Sequence, residues 1–163
     1  MTRTSKQSLI LTAIAFALSA GSATAVPRTA SEYVVRNDSG GYVIDYAIDM
    51  LKMEKSQQPV KFAGRCDSAC TIYLGLNTAQ TCITSGAKFG FHLPFGSDRR
   101  GNLVAASFMM KKYPQWVHKW LEANGGLSSQ LKVMPFAYAS KFIKPCKDGS
   151  ASVQQVSFQP SDR

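Results

Sequence analysis

The sequence predicts a single α/β domain whose mainly parallel sheet is flanked by helices. Short apolar segments typical of strands alternate with helical segments, which is the pattern of parallel sheets with right-handed crossovers. Turn-forming residues separate these segments, and no repeat, low-complexity tract or linker divides the chain. Two of the predicted strands end at a polar side chain, Ser68 and His92. Open α/β sheets place their functional sites at the carboxyl ends of strands.

The first 25 residues are typical of a signal peptide. Arg3 and Lys6 form a basic start, residues 9–20 are apolar, and residues 23–25 form an Ala-x-Ala cleavage signal. The apolar run spans about 12 residues, short of the roughly 20 that a membrane-spanning helix needs. We therefore expect residues 1–25 to be a signal peptide, residues 26–163 to be the single folded domain, and the mature protein to be periplasmic or secreted, without a transmembrane segment.

The first strand and the first helix follow from the apolar pattern. Residues 33–35 form a predicted strand, and Asn37, Asp38 and the turn Ser39-Gly40-Gly41 end it. From 42 to about 55, apolar residues recur at helical spacing, which predicts an amphipathic helix packed on the sheet. The predicted packing face consists of Val43, Ile44, Ala47, Ile48 and Leu51.

The next segments surround the two polar strand ends. Residues 60–63 form a predicted strand that leads into the turn at Ser68, a short helix continues towards Asn77, and a further strand ends at His92. The last third is predicted to be helical. Residues 103–112 and 115–123 form helices on either side of Pro114, which either kinks one helix or begins the second. A further helical stretch is expected from Ser128, interrupted at Pro135.

Charge limits the classes of partner. The chain has 19 basic and 10 acidic residues, a net charge of +9, and loss of the two basic residues of the leader leaves +7. The positive charges are scattered, and no aromatic-interleaved basic motif indicates nucleic acid. The sequence thus favours a solvated basic surface, with attraction to anionic envelope polymers or lipid headgroups as the alternative.

Trp116 and Trp120 share one helix face with Tyr113, which favours core packing or contact between subunits of a homo-oligomer.

Four cysteines follow the leader: Cys66, Cys70, Cys82 and Cys146. An even number in an exported chain predicts disulfide bonds, and the sequence leaves the three pairings open. A metal site that uses these thiols with His92 or His118 is the competing interpretation. The Cys-x3-Cys spacing differs from the usual zinc pattern, so we expect no metal and no cofactor.

Ser68 and His92 are the candidate catalytic residues. A serine hydroxyl is a weak nucleophile until a base takes its proton, and an imidazole is a suitable base. Ser68 lies in the turn Gly64-Arg65-Cys66-Asp67-Ser68-Ala69-Cys70, and His92 lies in the segment Phe91-His92-Leu93-Pro94, 24 residues later. The alternative is that Asp67 and Ser68 only cap the following helix and that His92 is an ordinary histidine at a strand end.

These motifs together resemble a known family. The order of Ser39-Gly40-Gly41, a helix, the Ser68 turn and the His92 segment resembles the Clp protease proteolytic subunit of the crotonase-like superfamily. It resembles more closely the exported bacterial members that carry a Cys-x-Ser-Ala-Cys turn. The resemblance covers roughly residues 33–95 and implies a crotonase-like fold.

The resemblance also implies roles for particular residues. Ser68 matches the family's nucleophile and His92 its general base, while Gly41 and the amide of Ala69 match the backbone donors of the oxyanion hole. A glycine turn and a helix N-terminus both expose free amides that supply such donors. The family's third residue is an acid, and the matching stretch around Met134 has none, with Asp98 and Asp148 as the acids available elsewhere. The missing acid leaves two interpretations of the site, a Ser-His dyad or no catalytic site.

Two functions from different classes follow from this pattern. The first is a periplasmic or secreted serine hydrolase that cleaves peptide or ester bonds in a peptide or acyl substrate. The alternative is a catalytically degenerate Clp-like protein that binds such a group in the same cleft, or that acts as a scaffold.

Overall fold

The computed structural model describes residues 31–147, and the predicted signal peptide and Asp148 lie outside this range. Within this range the chain forms five strands and four α-helices, with a 3₁₀ helix at Ser68–Gly75. The strands are β1 (Tyr33–Asp38), β2 (Val60–Asp67), β3 (Thr81–Ile83), β4 (Lys88–Phe91) and β5 (Lys132–Pro135). The helices are α1 (Val43–Ser56), α2 (Arg99–Lys112), α3 (Gln115–Ala123) and α4 (Phe136–Ala139).

The strands form one mixed sheet in the order β1-β2-β4-β5, with β3 pairing β2 as well. β2 pairs in parallel with β1, β3 and β4, whereas β5 runs antiparallel to β4. The predicted α/β architecture, a mainly parallel sheet flanked by helices, is thereby confirmed. The parallel pairing brings the carboxyl ends of β1, β2 and β4 to the same edge of the sheet, where Ser39, Ser68 and His92 follow.

Aromatic side chains join the sheet to the helices. Phe62 of β2 packs edge-on against Phe89 of β4, with ring centroids 5.1 Å apart. Phe91 contacts Tyr113, which ends α2, and Trp120 of α3, at 5.5 and 5.6 Å. The 3₁₀ helix is at the centre of this core, and it contacts α1, α2, β2 and β4. Phe91, the last residue of β4, is therefore packed in the core directly before His92.

The breaks between helices follow the local sequence. Asp98 caps α2 by accepting a hydrogen bond from the amide of Gly101 at 2.6 Å. Pro114 occupies the capping position before α3, so it separates two helices rather than kinking one. None of the helices among residues 31–147 is long and apolar enough to cross a membrane.

Two predictions about the helices were wrong. The stretch after Ser128 was expected to be helical, but it contains β5, because Met134 is fully buried beside Phe89 in a pairing that only the folded sheet supplies. The buried face of α1 is also different from the predicted one. α1 buries Ala47, Met50 and Met53. The predicted packing residues Ile44, Ile48 and Leu51 are 64%, 45% and 54% exposed.

Both disulfides join residues within the described range. Cys66 pairs with Cys70, and Cys82 of β3 pairs with Cys146. No cysteine of residues 31–147 is free. The second disulfide fastens the end of the described chain to the sheet, beside the bridge between Ile83 and Pro145.

Candidate functional site

Ser68 occupies a strained position at the junction between β2 and the 3₁₀ helix. Its φ is +55°, in the left-handed region that side chains other than glycine rarely adopt. Among residues 31–147, Gln57 is the other non-glycine residue with a positive φ. It is the residue directly after α1, and this conformation is common at the end of a helix. Non-glycine residues held in this region cluster at active sites. A serine exposed by a sharp strand-to-helix turn is also how hydrolases present their nucleophile.

Covalent and hydrogen bonds hold the Ser68 turn in shape. The Cys66–Cys70 disulfide bridges the residues on either side of Ser68, and both cysteines are fully buried. The Ser68 carbonyl accepts a hydrogen bond from the Thr71 hydroxyl at 2.6 Å, and the same hydroxyl lies 2.6 Å from the Tyr113 hydroxyl. The backbone beneath the serine is thus fastened to the core, while the Ser68 side chain is half-buried at the surface of a cleft.

The Gly40-Gly41 turn packs directly on Ser68. Gly40 has a φ of +81°, and a Cβ at this position would lie 2.7 Å from Ser68 Cβ, 2.7 Å from the Asp67 carbonyl oxygen and 2.9 Å from the Ala69 nitrogen. Only glycine permits this approach. The turn after β1 and the turn after β2 therefore form one continuous surface.

The amides of this surface are the candidate oxyanion donors. The Gly40 N–H donates to Asp38 Oδ1 at 2.8 Å and is occupied. The Gly41 N–H has no partner among the described residues. Ala69 is in the first turn of the 3₁₀ helix, where backbone amides lack intrahelical acceptors, and Asp67 makes no capping bond to the helix. The two predicted donors, the amides of Gly41 and Ala69, thus both lie at this junction.

His92 lines the same cleft as Ser68, immediately after β4. Its Nδ1 lies 2.7 Å from the Leu93 carbonyl oxygen. A carbonyl oxygen carries no hydrogen, so this bond requires the proton on Nδ1 and leaves Nε2 as an acceptor in the neutral imidazole. The Phe95 ring lies against the imidazole with centroids 5.5 Å apart. No hydrogen bond joins Ser68 to His92 among the described residues.

None of the described acids contacts His92. The stretch around Met134, where the resemblance implies a third catalytic residue, is β5 and has no acid. Asp98 caps α2 instead. Asp67 occupies the cap position of the 3₁₀ helix, but its side chain does not bond to the helix amides, which corrects the expectation that it caps them.

Asp67 has a different set of contacts. Its Oδ2 pairs with Arg65 Nε at 2.5 Å, and its Oδ1 is buried without a hydrogen-bond partner. The carboxylate lies against Gly90 of β4, where any side chain would collide with it. The Asp67 side chain at the end of β2 thus packs against β4 and does not contact the imidazole of His92.

The cleft has a volume of about 620 Å³. Its walls include Gly40, Gly41, Val43, Ser68, His92 and Phe95. A smaller apolar cavity of about 220 Å³ lies between α1 and α2, and Val43 and Ala105 line both spaces. Phe95 is 81% exposed at the rim, so the cleft offers an apolar surface to a ligand next to the polar atoms of the site.

Metal binding has no support in the described range. No group of three histidine, cysteine or acidic residues within 31–147 is arranged to hold a metal ion, and all four cysteines are consumed by disulfides. The four cysteines therefore offer no free thiolate to the metal site that was the alternative interpretation of their pattern.

Three residues at the site were missed from the sequence. The sequence predicts Asp38 only as the end of a strand, although an aspartate side chain often accepts a hydrogen bond from the backbone amide two residues later in a turn. Tyr46 donates its hydroxyl to the same Asp38 oxygen at 2.6 Å, and Phe95 packs on His92. The last two contacts depend on tertiary structure and have no local signal.

Comparisons of the sequence and of the structure with known proteins gave different results. No protein-family model matches this chain, and no curated protein sequence matches it. Its structure is similar to that of the ClpP1 N165D mutant from Listeria monocytogenes, with 15% identity, a TM-score of 0.43, and coverage of 73% of this chain and 77% of that chain. A likeness at this level carries no functional argument, so the site stands on its own geometry.

Proposed function

We propose that this protein is a serine hydrolase that cleaves peptide or ester bonds with a Ser68-His92 dyad. The observation that carries the proposal is the left-handed Ser68 on a cleft that also contains His92 and a glycine turn with a free amide. Nucleophile, base and backbone donors are the three groups that acyl transfer requires.

The chemistry follows from the protonation of His92. The unprotonated Nε2 accepts the Ser68 proton as Oγ attacks the carbonyl carbon of the substrate, and the Gly41 and Ala69 amides stabilise the resulting oxyanion. Protonated His92 then donates to the leaving group, and a water molecule releases the acyl group by the reverse sequence. The Leu93 carbonyl performs the orienting role that a carboxylate has in a triad, since it fixes the proton on Nδ1.

A neutral carbonyl stabilises an imidazolium less than a carboxylate does. In subtilisin, loss of the triad aspartate alone lowers kcat by about 3 × 10⁴-fold. We therefore expect a slow enzyme, with turnover well below that of a complete triad.

The apolar wall of the cleft supports a substrate with an apolar group next to the scissile bond. Val43, Ala105 and the exposed ring of Phe95 surround the polar centre. A peptide with a large apolar side chain, or an acyl ester, presents such a group. We further propose a Clp-like, crotonase-type relationship and a periplasmic or secreted location, where disulfides such as Cys66–Cys70 and Cys82–Cys146 persist.

A degenerate binding protein is the second candidate. The observations that favour it are the lack of a Ser68-His92 hydrogen bond among the described residues and the lack of an acid on His92. Such a protein would hold a peptide or acyl group on the same cleft without turnover.

Hydrolysis of a fluorogenic acyl ester and of an unstructured peptide tests the proposal. We expect slow turnover by the wild type, with loss of at least ~100-fold in Ser68→Ala and in His92→Ala. Ser56→Ala and His118→Ala are the matched controls, because neither residue lines the cleft. Binding of the substrate without turnover by the folded wild type would favour the second candidate.

A further inference from the structure

The carboxylate of Asp38 joins the end of β1 to both neighbouring elements. Its Oδ1 accepts the Gly40 N–H at 2.8 Å and the Tyr46 hydroxyl of α1 at 2.6 Å. One oxygen atom therefore fixes the glycine turn with respect to the helix that follows it. Hydrogen bonds to a charged acceptor are shorter and roughly twice as strong as neutral ones.

Tyr46 is itself held in place by the core. Its ring packs on Tyr73 of the 3₁₀ helix, with centroids 5.5 Å apart, and Tyr73 is only 1% exposed. Gly41 also lies beside this ring, since a Cβ on Gly41 would be 3.5 Å from Tyr46 Cε2. Tyr46 thus connects the glycine turn to the same 3₁₀ helix that begins at Ser68.

The hydroxyl of Tyr46 keeps its proton. Burial raises the pKa of this phenol, and the Asp38 carboxylate raises it further through the hydrogen bond and through its charge. Tyr46 is therefore a donor at every pH at which the protein would act.

These contacts determine which amide of the turn is free. Asp38 occupies the Gly40 N–H, the Gly41 N–H remains unpaired among the described residues, and Gly40 is pressed against Ser68. We propose that Asp38 and Tyr46 are positioning residues that hold the Gly40-Gly41 turn so that the Gly41 amide points at the oxyanion formed on Ser68. This inference rests on the proposed hydrolase function and adds two residues to its machinery.

Steady-state kinetics of three variants test the proposal. A displacement of about 1 Å in a catalytic arrangement can cost roughly 100-fold in rate, so we expect Asp38→Ala to lower kcat by ~10-fold or more while KM changes less than ~2-fold. Tyr46→Phe removes one of the two bonds and should lower kcat by ~3-fold or more. Asp38→Asn keeps Oδ1 as the acceptor and should stay within ~3-fold of the wild type.

Matched controls separate positioning from general stability. Asp49→Ala removes a different carboxylate, one on α1 whose ion pair among residues 31–147 is with exposed Lys52. Tyr138→Phe removes another phenol hydrogen bond, to the Trp116 carbonyl at 3.2 Å. Both controls should leave kcat unchanged. A kcat for Asp38→Ala and Tyr46→Phe equal to that of the controls, in an active wild type, would overturn the positioning role alone.

Amide exchange distinguishes this failure from failure of the hydrolase proposal. An inactive wild type would refute the hydrolase function, and the exchange rate of the Gly40 amide, measured by NMR, would then decide on the turn. We expect this amide to exchange at least ~10-fold faster in Asp38→Ala than in the wild type or in Asp49→Ala. Equal rates would overturn the proposal. Should Asp38→Ala fail to fold, Tyr46→Phe frees the Asp38 carboxylate from α1 but leaves it bonded to the Gly40 amide, and we expect this amide to exchange ~3-fold faster or more. An unchanged rate would then overturn the proposal.

Discussion

Replacing Gly40 by alanine tests the close approach between the glycine turn and Ser68. The variant must place a side chain at a φ of +81°, which costs about 1 to 2 kcal/mol. Its Cβ would also lie 2.7 Å from Ser68 Cβ and from the Asp67 carbonyl. Since neither is a flexible side-chain end, the backbone must move, and the total loss of unfolding free energy should reach about 3 kcal/mol or more.

The displaced turn should also disable the site. A shift of about 1 Å in a catalytic arrangement can cost roughly 100-fold in rate. We expect Gly40→Ala to lose at least ~100-fold in the rate at which a fluorophosphonate labels Ser68. The assays are urea unfolding followed by circular dichroism, and labelling followed by intact mass.

Gly126→Ala is the matched control for backbone strain. Gly126 has a φ of +67°, but a Cβ there meets nothing within 4 Å, and the residue does not line the Ser68 cleft. This variant should lose only the conformational cost, about 1 to 2 kcal/mol, and label at the wild-type rate. Equal stability and equal labelling of the two variants would refute the packing of Gly40 on Ser68.

Two further predictions concern the disulfides and a buried phenol. Replacing Cys82 and Cys146 by alanine opens a long loop and should lower the free energy of unfolding by about 4 kcal/mol, while Ser68 is still labelled. Replacing Cys66 and Cys70 should lower it by only about 2 kcal/mol and yet slow the labelling of Ser68. The opposite order of labelling rates would contradict the role of the shorter loop. Burial raises the pKa of Tyr113, so the phenol keeps its proton in the folded protein above pH 10, where it loses the proton in the unfolded chain. The contribution of Tyr113 to the free energy of unfolding is therefore complete below about pH 10 and declines above it by about 1.4 kcal/mol per pH unit. Urea unfolding between pH 9 and about 11 should therefore show a shallower decline in Tyr113→Phe, and identical slopes would count against this burial.

The sequence predicts the parts of this fold that local patterns determine. Glycine turns, apolar runs and helical periodicity predicted β1, α1, β2, the helix after Ser68 and β4, but not the short strand β3, and α3 begins and ends at the predicted residues Gln115 and Ala123. β5 was missed because its four residues become a strand only by pairing with β4. The predicted buried face of α1 was right for Ala47 and wrong for Ile44, Ile48 and Leu51, which are left exposed.

The sequence alone marks Ser68 and His92 as candidate site residues, but it does not show the contacts that hold the site together. Ser68 and His92 are marked by the strand ends before them, and parallel pairing of β2 with β4 brings both to one cleft. The pairing of Cys82 with Cys146 depends on the distance between segments that are 64 residues apart in the chain. No local pattern contains this information.

Mapping of a fluorophosphonate adduct by mass spectrometry tests most directly whether Ser68 and His92 act together. We expect one adduct on the oxidised wild type, located on Ser68, and none on Ser68→Ala. His92→Ala should label at least ~100-fold more slowly, while His118→Ala, whose histidine lies on α3 outside the cleft, should label at the wild-type rate. Labelling that persists in His92→Ala, or a folded wild type that is not labelled, would contradict the account.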